Sequence, residues 1–163
     1  MAWASLSEAQ GDNVDLVLWR HAEAEDGIDD LARALTPKGV RQARAMAKWL
    51  RRHLPQGTRV LVSPALRARQ TAQALGWHWR DVAALAPGAL VDQLLAAAGW
   101  PLAQGCVLVV GHQPTLGEVA AQLLGAAQGL NLRKGGILWF EHRLRDGAAR
   151  TDLRAAVDAG LLD

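Results

Sequence analysis

Apolar residues follow two patterns that alternate along the chain, one typical of strands and one typical of helices. Short, nearly continuous apolar runs at residues 15–19, 59–62 and 107–110 predict buried β-strands. Between them, apolar residues recur every three or four positions, as on the buried side of a helix. The first such stripe contains Val40, Ala43, Ala47, Leu50 and Leu54. This alternation predicts an α/β fold of three layers, with a mostly parallel central sheet flanked by helices.

Proline and hydroxyl residues mark the expected helix starts. Thr36-Pro37 and Ser63-Pro64 each supply a capping hydroxyl followed by a proline, which suits the first turn of a helix. Pro114-Thr115 precedes a further apolar stripe and is expected to open another helix. Four helices are therefore expected. The first begins at residue 37, the second covers about residues 65–75, the third about residues 90–98, and the fourth begins near residue 115.

Two segments fall outside this alternation. Residues 76–87 combine Gly, Pro and two closely spaced tryptophans without a clear period, and they predict an irregular connection. Residues 137–142 and 151–157 are typical of strands, and the turn sequence at 145–148 lies between them. The chain is therefore expected to end in an antiparallel hairpin.

Length and composition favour one domain at residues 15–163, preceded by a flexible polar tail at residues 1–14. With 163 residues, half of them hydrophobic, the chain can bury a core without disulfides or metals. No apolar run reaches the roughly 18 residues of a membrane span, and we expect a soluble cytoplasmic protein. Cys106 starts an apolar run and is expected to be a small buried hydrophobic residue.

Charge is unevenly distributed, although the formal net charge is only +2. Five acids lie within residues 23–30, and no further acid follows before Asp81. Between these limits every charged side chain is Arg or Lys. Such a basic block can steer an anionic partner, and it can equally be the solvated face of a helix.

Two of the predicted strands end on a histidine, His21 after Arg20 and His112 after Gly111. Ligands of open α/β sheets bind beyond the carboxyl ends of the strands, so both imidazoles are expected at one crevice. Arg67 adds a guanidinium in the first turn of a predicted helix, where the helix dipole already favours an anion. Two arginines and two histidines around one crevice predict a site for a phosphoryl group.

Four motifs extend this constellation along the chain. They are Trp19-Arg20-His21, then Leu35-Thr36-Pro37-Lys38-Gly39, then Ser63-Pro64 with Arg67-Ala68 and Gln70-Thr71, and finally Gly111-His112. In this order they resemble the histidine phosphatase superfamily, also called phosphoglycerate mutase-like, and within it the SixA-type phosphohistidine phosphatases. The resemblance extends over nearly the whole chain from Asp15.

The resemblance implies a phosphoglycerate mutase-like fold and a hydrolase that needs neither a metal nor a cofactor. It implies that His21 is transiently phosphorylated, while Arg20, Arg67 and His112 hold the phosphoryl oxygens and bind phosphate in the pocket. The chemistry is consistent, because neutral imidazole attacks phosphorus near neutral pH. Phosphoryl transfer otherwise requires mainly positioning and positive charge on the equatorial oxygens.

Two features depart from the family pattern. The glycine that usually follows the nucleophile is Ala22 here, which suits a negative φ and is strained at a positive φ. The carboxylic acid that protonates a leaving alkoxide in many relatives has no convincing counterpart. Glu23 and Asp92 are the candidates for this acid.

The missing acid favours phosphohistidine as the substrate, because a protonated imidazole leaves far more easily than an alkoxide. Only 44 residues separate Arg67 from His112, which leaves no room for a large cap and favours a phosphorylated partner protein. The alternatives are a hydrolase of small phosphate esters and a phosphate-binding module without turnover. A nucleic-acid-binding protein, with Trp49 and Trp77 stacking on bases beside the basic helix, is the least favoured reading.

Overall fold

Strands and helices alternate through residues 13–162, the part of the chain that the computed structural model describes. The strands are β1 (Val14–Arg20), β2 (Arg59–Val62), β3 (Arg80–Asp81), β4 (Gly105–Gly111), β5 (Ile137–Arg145) and β6 (Ala148–Val157). The helices are α1 (Pro37–His53), α2 (Leu66–Gln73), α3 (Val91–Ala98) and α4 (Thr115–Leu124), with short 3-10 turns at Asp30–Ala32, Ala83–Leu85 and Ala159–Leu161. Residues 1–12 of the expected tail lie outside the described residues, and β1 begins at Val14.

The six strands form one sheet in the order β3-β2-β4-β1-β5-β6. Strand β4 lies between β1 and β2 and is parallel to both, while β5 runs antiparallel to β1 and β6. The register pairs Arg20 with Gly111 and Val62 with Val110. The residues that follow these three strands therefore meet at one edge of the sheet, which is the expected place for a ligand.

Helices cover both faces of the sheet, as the strand and helix pattern predicts. On one face Val17 and Trp19 of β1 pack in a cluster with Met46 and Leu50 of α1. On the other face Leu16 of β1 packs in a cluster that includes residues of α3 and α4. Because β1 and β4 are buried on both sides, their sequences are continuous apolar runs rather than alternating ones.

The helix starts follow two different rules. Thr36 caps α1 as expected: its hydroxyl accepts a hydrogen bond from the Gly39 N–H, and Pro37 is the first helical residue. The cap assigned to Ser63 for α2 is wrong, because the N-cap residue is Ala65, which has no capping side chain. The Ser63 hydroxyl accepts from the Ala65 N–H, outside the helix, and also bonds to a residue of the site described below.

The two segments outside the alternation are mostly as predicted. Residues 76–87 form an irregular connection, although they also contain the two-residue edge strand β3, which the sequence did not reveal. Strands β5 and β6 form the predicted hairpin, whose turn places Asp146 and Gly147 at φ values of 50° and 77°. Two successive positive φ angles fit the right-handed twist of a two-residue hairpin.

Two expectations from composition can be compared with the structure. Cys106 is buried, and burial raises the pKa of its thiol to about 12, so it serves as a hydrophobic residue of the core. Among residues 13–162, no helix combines the length and the apolar character needed to cross a membrane.

Candidate functional site

A cavity of about 260 Å³ opens at the sheet edge where β1, β2 and β4 end. It brings together all four residues of the predicted phosphoryl site, and further residues complete its wall. The predicted residues are Arg20, His21, Arg67 and His112, and the others are Ala24, Asp30, Arg33, Pro87, Gln113 and Lys134. A larger cavity of about 370 Å³ between α1 and α2 contains no histidine.

His21 lies at the floor of this cavity, directly after β1, with 8% of its surface exposed. Its Nδ1 is 2.7 Å from the carbonyl oxygen of Ala22, and a carbonyl can only accept a hydrogen bond. Nδ1 therefore carries the ring hydrogen, and Nε2 keeps its lone pair, to which Arg67 Nε donates at 3.4 Å. Burial lowers the pKa of His21 to about 4, so the ring is neutral at neutral pH.

Ala22, which stands where the resemblance leads us to expect glycine, fits its position. Its N–H donates to the Thr71 hydroxyl at 3.0 Å, its methyl group is fully buried, and its carbonyl holds His21. Among residues 13–162 the only non-glycine residue at positive φ is Asp146, so Ala22 has the negative φ that tolerates a Cβ. The substitution therefore leaves the loop that orients His21 unstrained.

Arg67 of α2 uses two edges of its guanidinium. The edge formed by Nε and Nη2 faces the two histidines, with long contacts of 3.4 Å to His21 Nε2 and 3.5 Å to His112 Nδ1. The edge formed by Nη1 and Nη2 is held by Asp30, through its backbone carbonyl and through its carboxylate at 3.1 Å. An anion between the histidines can therefore take the first edge bidentately while Asp30 keeps the second.

His112 lies opposite His21, with 5.1 Å between the ring centroids. Its Nε2 is 2.7 Å from the hydroxyl of Ser63, the residue that directly follows β2. Burial above all, and then the neighbouring His21 and Arg67, lower the pKa of His112 to about 3. Both rings are thus neutral side chains in a cavity with several cationic neighbours.

Arg20 supplies a second guanidinium from the end of β1. Its Nη1 donates to the Leu132 carbonyl at 2.8 Å, which anchors the side chain. Its Nε is buried and has no partner among residues 13–162. A buried N–H donor without a partner is costly, and it becomes satisfied when an anion accepts from it.

The structure brings neither candidate acid into the cavity. The Glu23 carboxylate accepts a hydrogen bond from the Thr36 hydroxyl at 3.0 Å and lies 3.2 Å from Lys38 Nζ, so it stabilises the start of α1. These contacts lower the pKa of Glu23, which keeps it ionised. Asp92 is an exposed residue of α3 and is not part of the cavity wall.

Within the described part of the chain, the carboxylate that lines the cavity belongs to Asp30, one of the five acids clustered at residues 23–30. It belongs to the 3-10 turn Asp30–Ala32, and it pairs with Arg67 at 3.1 Å and with Arg33 at 3.0 Å. Hydrogen bonds from both arginines lower its pKa, so it is a carboxylate at neutral pH. The only signal for it in the sequence was the density of acids after His21.

The arrangement suits an anion with several oxygens. Arg20 has an N–H donor without a partner, and Arg67 has donors that make only long contacts. The neutral ring of His21 presents a lone pair beside them. Within residues 13–162 there is no group of three His, Cys, Asp or Glu side chains placed to hold a metal ion. The available chemistry is nucleophilic attack by an imidazole on an anionic group that guanidinium donors bind.

Comparisons with known proteins agree with this geometry. The model of the histidine phosphatase superfamily (branch 1) matches residues 16–87. An uncharacterized protein of Picosynechococcus is 39% identical, covering 84% of this chain and 88% of that protein. The phosphohistidine phosphatase SixA of Escherichia coli is 33% identical, covering 68% of this chain and 74% of SixA.

The fold itself matches a solved structure, that of the protein histidine phosphatase SixA complexed with tungstate. The TM-score is 0.73 at 28% sequence identity, and the match covers 91% of this chain and 99% of the solved one. The match over 91% of this chain therefore includes most of the central sheet and its helices.

Proposed function

The chain belongs to the histidine phosphatase superfamily as a hydrolase of the SixA type, and we propose that it acts through a phosphohistidine formed on Nε2 of His21. One observation carries this proposal. The Ala22 carbonyl fixes the hydrogen of His21 on Nδ1, so the lone pair of Nε2 faces the guanidinium of Arg67 inside the cavity. A nucleophile and a donor for the phosphoryl oxygens are thus already aligned.

The lengths of the hydrogen bonds around the cavity favour one position for the phosphoryl group. The contacts of Arg67 to His21 and His112, at 3.4 and 3.5 Å, are the longest ones that this guanidinium makes. Phosphoryl oxygens replace them with shorter, charge-assisted hydrogen bonds, and the buried Nε–H of Arg20 gains an acceptor. Binding thereby places positive charge on the equatorial oxygens, where phosphoryl transfer requires it.

We further propose that the substrate is a phosphohistidine on a partner protein. Among residues 13–162, the carboxyl group that lines the cavity is that of Asp30, and contacts with arginines lower its pKa and keep it an ionised carboxylate rather than a neutral acid. A protonated imidazole leaves without such an acid, whereas an alkoxide does not. The names of the SixA relatives support the same substrate class.

The experiment that tests the proposal is the capture of labelled phosphate on His21. A protein carrying ³²P-phosphohistidine is mixed with wild type, with His21→Ala and with His78→Ala, which changes an exposed histidine that does not line the cavity. We expect an alkali-stable, acid-labile label on wild type and His78→Ala only. We also expect His21→Ala to lose at least about 10⁴-fold in turnover, as when a nucleophile is removed. Undiminished phosphate release by His21→Ala would overturn the proposal.

A further inference from the structure

The residues that line the cavity are buried at its floor and exposed at its mouth. His21, Arg67 and His112 are 8%, 4% and 4% exposed, whereas the side chain of Asp30 is 53% exposed. In-line attack by His21 from the floor directs the leaving group away from the floor, toward the mouth. The leaving group of the substrate therefore departs on the side of the cavity where Asp30 lies.

The carboxylate of Asp30 is held in place but is not saturated. Arg67 Nη2 donates to its Oδ2 at 3.1 Å and Arg33 Nη1 donates to its Oδ1 at 3.0 Å. Arg33 is itself anchored, because its Nε donates to the Glu25 carbonyl at 2.7 Å. A carboxylate has about four acceptor sites, so two arginine contacts leave Asp30 able to accept a further N–H from a ligand.

Resting on the proposed function, we propose that Asp30 accepts a hydrogen bond from the protonated ring nitrogen of the substrate phosphohistidine and thereby selects imidazole leaving groups. The ionised carboxylate cannot donate a proton to an alkoxide. It can keep the phosphorylated ring of the substrate in its protonated form, because a negative charge at hydrogen-bond distance favours a cation. Asp30 thus supplies the negative charge that stabilises the protonated ring, and the proton itself is already on the substrate.

The transfer step balances without any acid from the protein. The lone pair of His21 Nε2 forms the new bond to phosphorus, the P–N bond of the substrate breaks, and its electron pair stays on the leaving nitrogen. The substrate ring keeps its other hydrogen, bonded to Asp30, and leaves as neutral imidazole. His21 becomes a phosphorylated ring whose Nδ1–H still donates to Ala22, and water then attacks phosphorus, returns the pair to Nε2 and releases phosphate.

Other charged groups face Asp30 from several elements. Arg67 of α2 and Arg33 of its own loop are in direct contact, and Lys134, Arg20 and the two neutral histidines line the same cavity. These cations hold Asp30 ionised over the range in which phosphohistidine titrates. The alkaline limb of the pH profile therefore reports the substrate ring rather than Asp30.

Asp30→Asn tests the inference, since it keeps the size and the acceptor oxygen toward Arg67 but removes the charge. The matched control is Asp29→Asn, which removes the same charge from the neighbouring exposed residue that does not line the cavity. Each variant is assayed with a phosphohistidine protein and with p-nitrophenyl phosphate, whose phenolate leaves without a proton. We expect Asp30→Asn to lower kcat/KM about tenfold for phosphohistidine, the effect of one charge-assisted hydrogen bond. The aryl ester should slow by a smaller factor, because the weaker pairing of an amide with Arg67 affects both substrates, whereas the contact with the leaving ring affects phosphohistidine alone.

The two substrates separate a leaving-group effect from a merely structural one. If Asp30 only positions Arg67, both substrates slow by the same factor, and the inference is wrong. We also expect the alkaline limb for phosphohistidine to move to lower pH in Asp30→Asn and to be restored in Asp30→Glu. Normal labelling of His21 with equal losses on both substrates would reject the inference alone, whereas absence of the label would reject the proposed function.

Discussion

The surroundings of His21 and His112 differ in one partner, although the two rings otherwise match closely. Both follow neighbouring parallel strands, both are buried, and both contact Arg67. His21 bonds to a backbone carbonyl through Nδ1, while His112 bonds to the hydroxyl of Ser63 through Nε2. A carbonyl only accepts hydrogen bonds, whereas a hydroxyl can also donate.

This difference gives the two rings different capacities. The Ala22 carbonyl permits one neutral tautomer of His21, which fixes the lone pair on Nε2 and suits a nucleophile. Ser63 accepts from the Ala65 N–H and still has its own hydrogen, so it can accept from His112 or donate to it. When Ser63 donates, Nδ1 of His112 carries the ring hydrogen and can donate it to a phosphoryl oxygen. The Ala22 carbonyl therefore fixes the tautomer of the nucleophile His21. The Ser63 hydroxyl instead allows His112 to change its tautomer when it binds a phosphoryl oxygen.

Replacing His112 with alanine should separate these roles most clearly. We expect His112→Ala to lower kcat by about 10² to 10³-fold, the loss typical of one donor to a developing charge. Labelled phosphate should still accumulate on His21, more slowly, because the nucleophile is intact. Rapid-quench measurement of the label checks this result. If His112→Ala loses the label as completely as His21→Ala, His112 is needed to form the phosphohistidine as much as His21 is. The inferred difference between nucleophile and ligand is then wrong.

The buried neutral rings should also make stability depend on pH. An unfolded histidine binds a proton near its ordinary pKa of 6.5, whereas folded His21 and His112 do so only near 4 and 3. Between these values the unfolded state binds more protons, so the free energy of unfolding falls as the pH falls. The loss between pH 7 and pH 5 is about 2 kcal/mol for each ring.

Urea unfolding at pH 7 and pH 5 measures this loss. We expect His21→Asn and His112→Asn each to remove part of the pH dependence seen in wild type, whatever their stability at pH 7. Below pH 4 His21 becomes protonated in the folded state too, whereas His112 does so only near 3, so His112→Asn should remove more of the slope there than His21→Asn does. Identical pH dependence in wild type and both variants would show that neither ring is held neutral by the fold.

Local signals in the sequence predicted the elements that place the two histidines. The apolar runs of β1 and β4 and the Thr36-Pro37 start of α1 each depend on neighbours within a few residues, and the structure confirms them. The turn at Asp146 and Gly147 is local in the same sense. Such signals identify the strand ends, and parallel pairing then brings the ends together.

The sequence could not predict the partners that differentiate the site, because they come from distant parts of the chain. Ser63 was assigned a local capping role, but its hydroxyl bonds to His112, 49 residues away. Asp30 reaches Arg67 across 37 residues from an irregular loop, and no short motif marks it. Glu23, one of the two candidates for the acid, follows the nucleophile closely in sequence, yet local contacts with Thr36 and Lys38 hold it outside the cavity.

Ser63→Ala should produce the smallest effect and the most specific one. Without the hydroxyl, His112 loses the partner that can donate to Nε2, and its Nδ1 no longer gains a hydrogen for a phosphoryl oxygen so readily. We expect kcat to fall about tenfold, the value of one hydrogen bond to a charged group. Labelling of His21 should persist.

The control is Thr115→Val, which removes another buried hydroxyl, bonded to the Ala89 carbonyl outside the cavity wall. It should leave kcat unchanged at a similar cost in stability. The ¹⁵N chemical shifts of His112, measured with phosphate bound, check the cause directly. In wild type they should report hydrogen on Nδ1, and in Ser63→Ala a mixture of tautomers, while His21 stays protonated on Nδ1 in both. Unchanged shifts at His112 would show that the hydroxyl does not control its tautomer, and the contrast between the two rings would then rest on position alone.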